Sequence, residues 1–358
     1  MQYSLRDRFR GAFLGAAIGE MIGTDHSIRP NAALSSAQSS IPGRREKLWE
    51  FPPSDRIDPI AKKDWGSQNG WGKLLIQQTE DLVQPLSEAK DGDPCNSSHL
   101  EDRAESVPLD AKGQPITVSV QGSLAITTIP IALFHHDHLR HLPHRIEQTI
   151  TEPSMTRRQH SANLATGAIV IGYTLALALQ EKLHPHDLIP RLLTDLDLHD
   201  RDFLLTQQLQ QVQSCLEQGY GLAMIKSLMP VSQNPAIDPA PIAMALYGFL
   251  STPNFFQLSL RRSIRLTSHP QIVCCLVGAL SGVYNSVAGL PIGWRTRLNG
   301  VGTQPIVGNL PSESKLIEQA DRLFAAWSGV YQPSQSPEMV TALPDLIRPR
   351  PDLPAYLQ

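Results

Sequence analysis

Arg8-Phe9-Arg10-Gly11-Ala12-Phe13-Leu14-Gly15-Ala16-Ala17-Ile18-Gly19-Glu20-Met21-Ile22-Gly23 carries a glycine at every fourth position. The pattern predicts a helix over residues 5–23, and on a helix this spacing sets Gly11, Gly15, Gly19 and Gly23 on one narrow strip. Each glycine costs a helix about 1 kcal/mol against alanine. Four in register need a compensating contact, and close approach of a neighbouring helix or of a ligand supplies one. The same spacing marks dimer faces in membranes, but this apolar segment is too short to span a bilayer.

Working outward, helical signals dominate. Trp71 to Val83 forms a modest amphipathic stretch with Leu74, Leu75, Leu82 and Val83 on one side. Ser123 to Phe134 is apolar, with Pro130 as a kink or boundary. Arg158 to Leu183 reads as a long buried helix. Shorter amphipathic stretches follow at His186 to Leu193, Arg201 to Gln218 and Gly221 to Met229. Pro241 to Leu250 has proline in its first turn, where the missing N–H costs nothing. Asn254 is placed to cap a helix over Phe255 to Leu266. Pro270 opens the next, Gln271 to Val287, with Pro291 to Leu298 and Ser312 to Val330 after it. Alternating runs and Asn-Gly hairpins are nearly absent. The expected architecture is all-α, a multi-helix arrangement with many short connections.

Two polar stretches interrupt it, residues 28–48 and a long insertion at 84–117. One domain over 1–331 is expected, with a Pro-rich tail at 332–358. Hydrophobic residues make up 41% of the 358 and charged residues 18%, the balance of a folding chain rather than a disordered one. A net charge of −3 offers no broad basic field for nucleic acid. The four cysteines, two of them adjacent at Cys274 and Cys275, form neither a disulfide framework nor a zinc pattern, which fits a reducing cytoplasmic setting. The start of the chain lacks a small-x-small cleavage site and carries Glu20, so it is not read as a signal peptide. The longest apolar run, Ala165 to Leu179, falls short of a membrane span.

Few residues advertise chemistry. His135, His136, His138, His141 and His144 cluster after an apolar helix, with Pro143 read as its end. They can complement a helix C-terminus, or three of them can share a face as zinc ligands do. Thr79-Glu80-Asp81 is a small acidic knot on what reads as a solvated helix face, and Asp25-His26 follows the glycine helix directly. No nucleophile elbow or phosphate-binding glycine loop occurs.

The glycine helix resembles the opening helix of the ADP-ribosylglycohydrolases, Gly-Ala-x-x-Gly-x-x-x-Gly-Asp-x-x-Gly. Ile272-Val273-Cys274-Cys275-Leu276-Val277-Gly278-Ala279-Leu280-Ser281-Gly282-Val283-Tyr284 resembles their late core helix, which ends Gly-Ala-Leu-x-Gly. Leu290-Pro291-Ile292-Gly293-Trp294 is similar to their Ile-Pro-x-x-Trp, and Ile242-Ala243-Met244-Ala245-Leu246-Tyr247 to another core helix. The resemblance covers residues 5–25 and about 118–330, with the pieces in order.

It implies an all-α fold, an orthogonal multi-helix bundle, with two magnesium ions in a central cleft. It also implies hydrolysis of the glycosidic bond that joins ADP-ribose to proteins or small molecules. Hard cations want oxygen donors. The family draws them from an early Thr-Asp-Asp-Thr, from an Asp-Thr-Asp-Thr before the late core helix, and from a Glu after the first helix. Counted back from Gly278, the late slots hold His269, Pro270, Gln271 and Ile272, with Ser268 before them. After Trp71, the early slots hold Gly72, Lys73, Leu74 and Leu75. The Gly-Asp slot holds Glu20, and the later Glu falls near Ser27. The resemblance thus implies cleft positions Ser27, Ser268, His269, Gln271 and Ile272. It implies a degenerate member that expects no metal cofactor and binds a protein or an ADP-ribose-like ligand. Two rivals remain open: an active glycohydrolase with Glu20, Asp25, Glu80 and Asp81 as a rearranged acidic set, or a purely structural interaction protein.

Overall fold

The computed structural model describes residues 3–28, 71–83, 119–150, 158–229, 238–267, 269–299 and 311–330. The side chains at 27–28, 71–74, 81 and 158–164 are outside that description. The expected loop at 28–48 (beyond Ile28), the insertion at 84–117 and the tail at 332–358 lie outside the described residues.

Among the described residues there are fifteen α-helices and no strand. In chain order they are α1 (Leu5–Ile28), α2 (Trp71–Val83), α3 (Val120–Thr127), α4 (Ile129–Phe134), α5 (Leu142–Ile150) and α6 (Arg158–Leu179). Next come α7 (Leu188–Asp195), α8 (Leu198–Arg201), α9 (Phe203–Glu217), α10 (Leu222–Leu228) and α11 (Ala240–Leu250). The last are α12 (Phe256–Leu266), α13 (Pro270–Asn285), α14 (Ile292–Leu298) and α15 (Glu313–Trp327).

The axis of the fold is the pair α1 and α13. A β-carbon built on Gly11 would collide with the carbonyl of Gly282, one on Gly15 with Gly278, one on Gly19 with Cys274, and one on Gly23 with Pro270. Each step of four up α1 is a step of four down α13, so the helices run antiparallel with their backbones in contact. Leu14, Ile18, Val277 and Leu280 beside that seam are fully buried. Burial of such side chains, about 1.5–3 kcal/mol each, outweighs the helix propensity the glycines give up.

Helices α11 and α12 pack on the other side of α13, and α2, α14 and α15 pack on α1. The second core helix is α6, which meets α3, α4, α5 and α13. Helix α11 is buried along its whole length, from Ala240 to Leu250. Helix α15 is tied to α1 by charge: Arg6 and Arg10 each make a forked pair with Asp321 at 2.7–2.9 Å. Burial alone would push the Asp321 carboxyl up, but Arg10 and Arg6 hold it below its usual range.

Pro130 lies in the first turn of α4 and so marks a boundary rather than a kink. Several expectations need correction. The glycine helix runs on to Ile28, so Asp25 and His26 belong to it. Phe255, with no side-chain cap, starts α12, so Asn254 is not its cap. Pro143 begins α5 instead of ending a helix, and the histidines before it lie in turns.

Candidate functional site

Four helix ends converge on one region. The C-terminal turns of α1 reach the N-terminus of α13, since Gly23 abuts Pro270 and Gln271. The N-terminus of α3 lies beside it: a β-carbon on Gly122 would stand 2.7 Å from Ile272 Cγ2 and 3.4 Å from Pro241 Cβ. The N-terminus of α11 completes the group. Ser119 Oγ accepts from the Gly122 N–H at 3.2 Å and donates to the Asp238 carbonyl at 3.0 Å, locking the starts of α3 and α11 together. Three of the four are N-termini, whose free N–H groups favour negative charge.

The late slots sit here. His269 is the residue before α13, and its N–H donates to Thr267 Oγ1 at 3.0 Å. Its imidazole is half-buried, and burial pulls its pKa down, opposed by the nearby Asp238 carboxylate. Asp238 is pushed up by burial, offset by the Ala240 N–H at 3.1 Å and by His269. Pro270 opens the helix, as the sequence predicts. Gln271 is half-buried, whereas Ile272 is buried at 4% exposure. Ser268 lies outside the described residues, and so does the side chain of Ser27.

The acidic candidates are carried by α1 and α2, which pack on each other. Glu20 of α1 is buried at 3% exposure, one residue past the seam glycine Gly19. Its charge, after burial itself, raises the Cys275 thiol. Asp25, one turn beyond, stands 3.8 Å from Arg297 of α14. Thr79 is fully buried and donates to the Leu75 carbonyl at 2.7 Å, so it is not part of a solvated face, while Glu80 is half-exposed. The Asp81 side chain is outside the described residues. Leu75, in the slot of an early hydroxyl, is core. Among the described residues no three His, Cys, Asp or Glu side chains are placed to hold a metal ion.

The histidine cluster serves the core and the surface. His136 is buried, Nδ1 2.7 Å from the Leu133 carbonyl, with its ring against Phe9 and Trp327. The solvated helix end expected there is thus corrected for His136, and no shared helical face exists for a metal.

Sequence reading missed Asp238, Arg265 and Arg297. Asp238-Pro239 ahead of an apolar run is a helix-start signal, and it was the only available pointer. Arg265 bears on His26, whose pKa is lowered first by burial and then by that guanidinium, with Asp25 opposing.

The family model for ADP-ribosylglycohydrolase matches residues 1–333. The chain belongs to the ADP-ribosylglycohydrolase family. Comparison with curated proteins gives no match. The match spans both helices of the glycine seam, α1 and α13, and the four converging helix ends. No helix among the described residues is long and apolar enough to cross a membrane.

Proposed function

We propose that this chain is a non-hydrolytic ADP-ribosylglycohydrolase-fold protein that acts by binding another protein. The observation that carries the reading is the start of α13. Where the family's late motif places two carboxylates and two hydroxyls, this chain has His269, Pro270, Gln271 and Ile272. A magnesium pair needs several anionic oxygens in near-octahedral geometry. His269 is held toward its neutral form by burial, and Gln271 carries no charge. Ile272 presents only methyl groups, pressed against Gly122. The donor set does not fit the metal pair, and no step is derived through it.

The burial of Ile272 also favours a protein partner over a small ligand. Its side chain packs against Gly122 of α3 and offers a ligand no polar atom. Glu20 keeps an acid at the position matching the family's first-helix motif, which is what supports the rival active-enzyme reading. Titration calorimetry with MgCl₂, in the presence of ADP-ribose, separates the two. No saturable heat at millimolar metal is expected. Saturable binding that disappears in Glu20→Gln would establish a rearranged metal site and overturn the proposal.

A further inference from the structure

We propose that the outer face of α12 is a docking surface for an acidic amphipathic segment of a partner protein. One of its residues, Arg265, also bears on His26 at the end of α1, but the face can hold a partner whether or not hydrolysis occurs.

Phe255, Leu258, Arg262 and Arg265 follow one another at three- and four-residue steps, and Arg261 lies three residues after Leu258 and four before Arg265, which puts all five on one side of a helix. The opposite side, with Phe256, Ser259, Leu260, Ser263 and Leu266, is buried. On the outer side, Phe255 is 65% exposed and Leu258 44%. Arg265 is exposed and Arg261 half-exposed. Among the described residues neither guanidinium has a carboxylate partner. Arg262 is held in place: it lies over the Tyr247 ring, 5.8 Å from its centroid, and donates to the Tyr247 hydroxyl at 3.2 Å. That hydroxyl donates to the Tyr220 carbonyl at 2.7 Å. Helix α10, which packs on α12, adds exposed Met224 and Lys226.

The stripe is about 15 Å long from Phe255 to Arg265. Three arginines within five residues concentrate positive charge on a chain whose net charge is −3. The local field is therefore opposite in sign to the molecule as a whole. Arginine beside exposed aromatic and aliphatic groups is the composition of interface hot spots. Apolar anchors at one end and cations along the other call for a partner helix with leucine or phenylalanine on one face and carboxylates beside it. A nucleic acid would use the cations but leave Leu258 and Met224 without a counterpart.

Fluorescence anisotropy tests this with the full chain and a labelled synthetic peptide. The peptide carries Leu and Phe on one helical face and Glu on its flanks; controls have Gln for Glu, or Ser for Leu and Phe. Saturable binding of the first peptide, weakening as salt rises, is expected. Both controls, and an Arg261→Glu/Arg265→Glu variant, should bind at least about tenfold more weakly. Leu258→Ser should weaken binding as well, with circular dichroism unchanged in each variant. Absence of binding, equal binding of the Gln peptide, or tighter binding of a labelled single-stranded oligonucleotide would overturn the proposal.

Discussion

At the scale of single residues, Gly19 and His269 make the sharpest demands. A β-carbon on Gly19 would fall inside the Cys274 carbonyl and against the Cys275 α-carbon. Backbone cannot swing away as a side chain does, so Gly19→Ala is expected to lower stability by at least about 1–3 kcal/mol, as overpacking does. Urea unfolding measures it, and an unchanged midpoint would contradict the seam. His269 titrates below its ordinary range because burial disfavours the cation, with Asp238 opposing. The unfolded chain takes up that proton near pH 6.5 while the folded chain does not, so stability falls as pH drops below about 6.5. His26 is shifted the same way. Urea midpoints at about pH 7.5 and 5.5 should differ less in His269→Gln than in the parent. An equal difference would place His269 in water. The glycines were legible because their period is their function. The His269 environment was not, because Asp238 lies far away in sequence and meets it only through the packing of α11 on α13.

At the scale of helices, the contact between α13 and α3 sets the packing where the helix ends converge. Ile272 is buried against Gly122 and behaves as core in this account. Ile272→Ala is therefore expected to cost about 2–5 kcal/mol by urea or thermal unfolding. A change below about 0.5 kcal/mol, usual for exposed sites, would mean the side chain points into solvent. Helix identities were readable from apolar spacing and from proline at first turns, as at Pro241 and Pro270, while Pro130, which reads as a kink or boundary, opens a separate helix. Ends were less so. Asn254 looks like a cap, yet the chain makes one more turn there, with the Phe255 N–H donating to the Thr252 carbonyl at 3.1 Å. The histidine run does follow a helix end, with His135 as the C-cap of α4, but His136 is buried there because it meets aromatic partners from α1 and α15, which no local pattern encodes.

At the scale of the whole molecule, the family fold is held by apolar packing along α1, α6, α11 and α13, where buried side chains and glycines suffice. A fold built in this way does not need a metal to stay closed. EDTA is accordingly expected to leave the melting temperature unchanged, and a fall of several degrees on chelation would reveal a structural ion. Chemistry is a separate matter: on the proposed reading, His269, Gln271 and Ile272 stand where the family's late motif has carboxylates and an oxygen donor. On that reading, charge developing on the leaving group has no metal pair to stabilise it, a deficit usually worth several kcal/mol. The most direct measurement is release of ADP-ribose from proteins modified on arginine or serine, followed with excess Mg²⁺. No release above the uncatalysed background is expected, whereas Mg²⁺-dependent turnover that is abolished by Glu20→Gln would contradict it.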